Sequence, residues 1–367
     1  MTYRALSRRS FIAATTTGSL AAILARQAAL AQGSCPLHIG DTRQSPPVEP
    51  VEIPVFDVPK GAARLKVGTV RHLTFAPIYL AYEKGYYAEQ GLDVEVSATN
   101  DGSDIALLTA TNQLQLGLNG VGPAFWNGID TGLPLTIVAP GHEEGNPVAS
   151  PLMIARKACD EGTITEVADL KGKRVSVHAP GAIEYWLDAA LRTGGLTIED
   201  VSLQYLAFPD AVMALDAGAL DGAIIGEPLA TQAEQQGTLV RLASDFPVQG
   251  MQVTAVYANA DWLGDNPDVA ARFVAGYLRA CRDLMEAPND PLNLTIINKY
   301  TDVPLQLIAD SVRPVYQVNG EINTGSFVTL QEFLGARDLL DSPDPIDPAT
   351  VIEQQVVADA LDLIGNI

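Results

Sequence analysis

The chain has 367 residues, 47% of them hydrophobic, with a formal charge of -21 and a pI near 4.4. That is enough apolar sequence for a sizeable core, and the length predicts two lobes. So acidic a surface repels phosphate backbones, which excludes nucleic acid as an expected partner.

In chain order, residues 1–31 have a basic start, an apolar and small-residue middle, and "ALA" before Gln32. This predicts an export signal, and "SRRSF" at Ser7 to Phe11 gives it a twin-arginine form. Thr, Gly and Arg26 interrupt the apolar run, which argues against a membrane anchor. Cleavage removes four Arg and no acid, so the charge becomes about -25 by the same count. The mature protein is expected in the periplasm. "QGSC" has Gln32 where a lipid-attachment site wants an aliphatic residue, so plain cleavage is favoured over lipid attachment at Cys35. Cys281 falls on the apolar stripe of a helix and reads as core; an oxidising compartment permits one disulfide without identifying it.

Residues 32–63 are Pro-rich and without periodicity, a tether or a strap on the surface. "RLKVGTV" then opens an alternation of strands and helices, with strands apolar on both faces, as in parallel α/β sheets. The alternation repeats after residue 165. "LTATNQLQLGLNG" from Leu108 can be laid on "ALDAGALDGAIIG" from Ala214, each a helix closed by a left-handed residue, Asn112 or Gly218, before a short strand. From Asp268 onward the pattern is helical: one long stripe at Val269, Phe273, Tyr277, Cys281 and Leu284, then patterns through 304–316, 330–340 and 349–364.

In open parallel sheets a ligand binds beyond the carboxyl ends of the strands. His72, His142 and His178 all lie there, but no HxH or HxxxH spacing supports a metal, and none is expected. The alternative is that each His donates to a neighbouring carbonyl or fringes the cleft. In "HAPGAIEYW", Gly181 permits close backbone approach, and Ala182 and Ile183 offer N–H groups at a helix start. No Lys or GK[ST] follows, which argues against a triphosphate. Glu227 precedes Pro228 and either starts a helix or faces the cleft to accept from an amine, amide or ring N–H. Phe75, Trp126, Tyr185 and Trp186 offer flat walls, or core. No G-x-S-x-G, H-E-x-x-H or Rossmann fingerprint is present, so neither catalytic residues nor a cofactor is predicted.

"FAPIYLAYEKGYYAEQGLDVEV", "ADLKGKRVSV…GAIEYWLDAALRTGGL" and "DAVMALDAGALDGAIIGEPLA" resemble, in order, signatures of periplasmic nitrate/sulfonate/taurine-type solute-binding proteins of ABC importers. That group includes binders of the thiamine pyrimidine precursor, and the likeness runs from about Leu65 to Leu340. It implies a type II two-lobed periplasmic-binding-protein fold, each lobe a parallel-rich α/β sheet flanked by helices. Lobe 1 would comprise residues 64–147 and 254–367, the latter with the C-terminal helices, and lobe 2 residues 148–253. Crossings would fall near Gly145–Leu152 and Val248–Tyr257.

The resemblance also implies a monomer that grips a small molecule and docks on a membrane permease. Ligand contacts would come from His72, Thr74, Phe75, Gly102, Ser103, Gly122, Pro123 and Trp126. His178, Gly181, Ala182, Tyr185 and Glu227 would complete them. Two departures stand out: Asn112 and Gln115 replace a usual Gly and Asp, and the loop "HAPGAIE" lacks the Ser/Thr common in anion binders. The second shifts the expectation from a simple nitrate or sulfonate toward an organic solute with a flat or nitrogen-bearing part. Sulfonate-like, aromatic-acid and pyrimidine-like ligands stay open. The alternatives are an enzyme on the same fold, acting on a pyrimidine or aromatic molecule, and a sensor reporting to a membrane partner.

Overall fold

A computed structural model describes Cys35, Leu37 and residues 44–99, 102–342 and 344–367. The export signal expected at 1–31 lies outside these described residues. Twelve strands are present among them: Ala63–Val70 (β1), Leu92–Thr99 (β2), Leu116–Gly120 (β3), Leu135–Pro140 (β4), His142–Glu143 (β5) and Leu152–Ala155 (β6) in the first half. Arg174–Val177 (β7), Ser202–Tyr205 (β8), Gly222–Ile224 (β9), Leu239–Ala243 (β10), Thr254–Asn259 (β11) and Val315–Tyr316 (β12) follow.

They form two five-stranded sheets, ordered β2-β1-β3-β11-β4 and β10-β6-β9-β7-β8, each the floor of one lobe. β1 runs parallel to β2 and β3, and β7 parallel to β8 and β9. β11 is antiparallel to β3 and β4, and β6 to β9 and β10, so each sheet is mixed rather than purely parallel. The reason is topological: β6 and β11 are the strands by which the chain enters the other sheet. The chain leaves the first sheet after Pro140, enters the second at Leu152, and returns between Ala243 and Thr254.

The internal repeat is real at atomic detail. The helix Ile105–Ala110 closes with the N–H groups of Gln113 and Leu114 donating to the Leu108 carbonyl at 2.9 and 3.1 Å. The helix Phe208–Asp216 closes with Ala219 and Leu220 donating to Ala214 at 2.7 and 3.1 Å. Asn112 (φ 56°) and Gly218 (φ 72°) make the left-handed turns. Asp221 accepts from the backbone N–H of Arg174 at 2.9 Å, and its counterpart Gln115 accepts from that of Lys66 at 2.8 Å. Gln115 also donates to the Asn112 side chain at 3.1 Å. The Asn112/Gln115 departure therefore keeps the local bonding with other side chains.

The strap is extended and lies on the first lobe. Ser45 donates from N to Asp310 at 2.8 Å and from Oγ to the Ala309 carbonyl at 3.0 Å. Val51 donates to Thr295 at 3.1 Å, and the Phe56 ring fills the space that a Cβ on Gly85 would need. At the start of the strap, Cys35 is disulfide-bonded to the buried Cys159 in the second lobe, and its N–H donates to Asp160 at 3.0 Å. This corrects the lipid-attachment alternative, because the sulfur a lipid thioether requires is already bonded. The bridge closes a separation of 124 residues. Cys35→Ser should cost about 2–4 kcal/mol. Thermal melts without reductant should fall by several degrees, and an unchanged midpoint would deny the bridge a structural role.

The helical C-terminal region differs from expectation in three places, the first being that the pattern through 304–316 is helical only over Leu305–Asp310 and ends in strand β12, paired antiparallel to β5. The helix Pro267–Glu286 buries all five stripe residues, as read. The helix Pro291–Thr301, capped by Asp290, was not expected, since its β-branched and Asn residues blur the helical period. The helix Thr324–Ala336 is not packed among first-lobe helices alone: Phe327, Leu330 and Leu334 share a core with Trp186 and Leu191 of the second lobe.

Candidate functional site

The loops at the carboxyl ends of β1, β3, β7 and β9 converge between the sheets. After β1, His72 caps the turn Leu73–Phe75, its Nδ1 accepting from the Thr74 N–H at 3.2 Å. That bond places the neutral ring's proton on Nε2, and the Glu227 backbone, from the other lobe, comes near enough to favour the protonated ring. After β3, Gly122 leads into the helix Pro123–Asp130; after β7, Gly181 leads into the helix Ala182–Arg192. These two helix starts face each other: a Cβ built on Gly181 would stand 3.5 Å from Cδ of Pro123. Gly181 has φ 132° and ψ -145°, a backbone conformation essentially restricted to glycine. The two helix starts thus meet with glycine backbone on one side and the Pro123 ring on the other.

The imidazoles are held neutral. Burial pushes His72 down to about 4, against the pull of the Glu227 backbone, with His178 adding to the lowering. Burial pushes His142 down to about 3, helped by His72. His142 Nδ1 lies 2.8 Å from Thr254 Oγ1. Desolvation also lowers His178, whose ring packs 4.7 Å from that of Phe208, although the residue as a whole is exposed. Between pH 6.5 and 4 the unfolded chain therefore holds protons on His72 and His142 that the folded chain does not. Stability is complete above 6.5 and falls as pH drops toward 4. At about 1.4 kcal/mol per pKa unit, discounted for partial exposure, His72 and His142 contribute a few kcal/mol. Urea midpoints at pH 7 and 4.5 should show the fall, and His72→Gln should shrink it. An equal fall in both proteins would locate the acid sensitivity elsewhere.

Two of the expected ligand contacts, Glu227 and Trp126, have buried side chains with partners of their own, and Tyr185 is half-buried. The Glu227 carboxylate is buried and accepts from Arg241 Nη2 at 2.8 Å and from Thr231 N and Oγ1 at 3.1 and 2.9 Å. Arg241 also pairs with buried Glu234 at 2.8 Å. Burial works against the Arg241 charge, but the two carboxylates outweigh it and hold the guanidinium above its ordinary range. Glu227 therefore offers its backbone to the cleft region and its carboxylate to Arg241. Trp126 is 1% exposed and packs against Phe125 and Phe327, so it is core and not cleft wall. The Tyr185 ring stands edge-on to Phe333 at 5.3 Å, facing the helix Thr324–Ala336.

The other expected residues lie near strand ends. Phe75 is largely core, 6.5 Å ring to ring from His72. Gly102 accepts from Asn119 at 2.7 Å, and a Cβ there would collide with that amide. Ser103 is exposed beside it, and Ala182 is half-buried at its helix start. Sequence reasoning missed Asn119, Thr254, Phe208 and Tyr316, whose hydroxyl donates to the Thr74 carbonyl at 2.8 Å. Tyr316 lies 242 residues from Thr74, so no local signal could have found it. Among the described residues no group of three or more His, Cys, Asp or Glu is arranged to hold a metal ion.

Two mixed α/β sheets, two chain crossings and helix starts facing each other between the lobes define the periplasmic-binding-protein fold. Residues 72–290 match the NMT1/THI5-like family, and the chain belongs to it. It is 27% identical over 241 residues to the riboflavin-binding protein RibY of Chloroflexus aurantiacus, covering 63% of this chain and 65% of that one. It is 24% identical over 302 residues to the nitrate/nitrite binding protein NrtA of Nostoc, covering 75% and 66%. The chain thus spans slightly under two thirds of the length of these two relatives. The taurine-binding periplasmic protein of Escherichia coli is 24% identical over 243 residues, covering 64% and 73%. In structure, the chain is similar to the periplasmic aliphatic sulphonate binding protein SsuA of Escherichia coli, with a TM-score of 0.66, 19% identity and coverage of 80% and 93%. It is also similar to the desulfurization enzyme DSZB, with a TM-score of 0.61, 15% identity and coverage of 82% and 99%.

Proposed function

We propose that the protein is the extracytoplasmic solute-binding receptor of an ABC importer, closing two lobes over a small organic solute. The observation that carries this reading is the opposition of the Gly181 and Pro123 helix starts at the carboxyl ends of two sheets. Backbone N–H groups at such starts suit acceptor atoms of a ligand. The relatives, named for riboflavin, nitrate and taurine binding, support a carrier of small solutes. In this reading the segments 141–151 and 244–253 are the hinge, and export follows the twin-arginine route. The protein works as a monomer that delivers ligand to a membrane permease. The contacts are His72, Thr74, Gly102, Ser103, Gly122 and Pro123 from one side and His178, Gly181 and Ala182 from the other. Neutral imidazoles and backbone N–H groups suit a polar organic solute, sulfonate-like, aromatic-acid or pyrimidine-like.

A thermal-shift panel of taurine, alkanesulfonates, nitrate, aromatic acids, pyrimidines and riboflavin tests the reading. A binder at about a hundred times its Kd should add about 2.7 kcal/mol of stability and raise the melting temperature by several degrees. No shift with any member would count against a receptor for these classes. The likeness to a desulfurization enzyme keeps one second reading, chemistry at the imidazoles. Turnover of a panel member that is lost in His72→Ala or His178→Ala would establish it.

A further inference from the structure

The helix Thr324–Ala336 touches both jaws of the clamp and the return crossing between the lobes. At its start, Asn323 donates from N to Gln252 Oε1 at 2.8 Å, and Ser326 Oγ accepts from Gln252 N at 3.1 Å. Midway, Phe327 packs on Trp126 of the Pro123 helix, ring to ring at 6.1 Å. Just beyond its end, the Asp341 N–H donates to Asn127 of that same helix at 3.0 Å. These contacts fasten it to the first lobe and to the crossing.

Its other contacts are with the second lobe. Arg337, directly after the helix, donates from Nε to Glu184 Oε2 at 3.0 Å and from Nη1 to the exposed Glu199. Glu184 lies in the first turn of the Ala182 helix, three residues beyond Gly181, and is 0% exposed. Its second oxygen accepts from Tyr205 Oη at 2.6 Å. A fully buried carboxylate needs such partners, because an unpaired charge in the interior is strongly disfavoured. Moving the second lobe away from the Pro123 helix would pull Glu184 off Arg337.

We infer that the helix Thr324–Ala336 is an interlobe latch and that Arg337 is a positioning residue, holding the ligand-gripping start of the Ala182 helix in the closed arrangement through Glu184. The inference rests on the receptor reading for its purpose, but its physical content is the balance between open and closed lobes. If Arg337 is removed, Glu184 regains favourable surroundings by hydration. Parting the Ala182 helix from a helix anchored on the first lobe gives Glu184 that hydration most fully, which favours the open cleft.

The test uses spin labels at Leu107→Cys and Met213→Cys, exposed positions on helices of different lobes. Cys281 is buried and Cys35 and Cys159 are bonded, so the labels stay site-specific. In the ligand-free protein, Arg337→Ala should shift the inter-label distances toward longer values, raising the open-to-closed ratio roughly tenfold. Adding Glu184→Gln to it should return the distribution part of the way, since a neutral amide can stay buried. Glu199→Gln should leave it at the parent's. An unchanged distribution in Arg337→Ala, or no recovery in the double variant, overturns the latch. Should Arg337→Ala fail to fold, Arg337→Lys should give a smaller shift of the same sign, and none overturns it. The readout needs no ligand. A shift in distances with no binder in the panel would sink the receptor reading and keep the latch; a binder with no shift would do the reverse.

Discussion

Arg241→Ala should lower the melting temperature by about 10 °C, the largest single loss of stability expected in this protein. Arg241 pairs with Glu227 and Glu234 at 2.8 Å each, and all three side chains are at most 11% exposed. Breaking a buried pair by removing one partner typically costs about 3–5 kcal/mol, and here two carboxylates are stranded at once. The loss should ease as pH falls, because a buried unpaired carboxyl takes up a proton to escape its charge. Calorimetric melts of parent and variant at pH 8 and pH 5 should therefore converge at the lower pH. Replacing all three, as Arg241→Met with Glu227→Gln and Glu234→Gln, should recover much of the loss, since nothing charged is then buried. A variant as stable as the parent at pH 8 would mean that water reaches the cluster.

Gly181→Val should abolish ligand-induced stabilisation, with affinity falling by roughly a hundredfold or more, a free-energy loss of about 2.7 kcal/mol. Two effects combine. The backbone at φ 132° is strained for any side chain, at about 1–3 kcal/mol, so part of the change appears as a lower melting temperature without ligand. The valine methyls would also project toward Pro123, already 3.5 Å from where a Cβ would stand, and hold the jaws apart. Gly181→Ala separates the two, because its methyl fits at that distance and only the backbone strain remains. Titration of both variants with whichever solute shifts the parent should give a modest loss for Ala and a severe one for Val. Equal affinity in Val and parent would move the clamp to other residues.

Much of the fold was legible because it is written in near neighbours. The strand–helix alternation, the stripe ending at Leu284 and the paired units at Leu108 and Ala214 depend on spacings of a few residues. Backbone hydrogen bonding within each unit enforces those spacings. The helix Pro291–Thr301 escaped because its Asp290 cap and Pro start are local signals laid over a blurred apolar period. At the second-lobe helix start, the glycine-only backbone of Gly181 was legible from its place between strand and helix. Glu227 and Trp126 were misjudged. Their local setting fits a cleft, but Arg241 fourteen residues on and Phe327 two hundred residues on take their side chains.

The sequence by itself thus determined two α/β units of one design and a glycine-led helix start in the second. Backbone periodicity and left-handed turns are decided within about ten residues. Only the tertiary structure decided that Cys35 bonds Cys159, that Glu227 turns its carboxylate toward Arg241, and that the helix Thr324–Ala336 lies against both lobes. Those choices follow from packing: a buried charge takes the partner that the fold brings within 3 Å, and a ring takes the cavity that closes around it, wherever in the chain the neighbours originate.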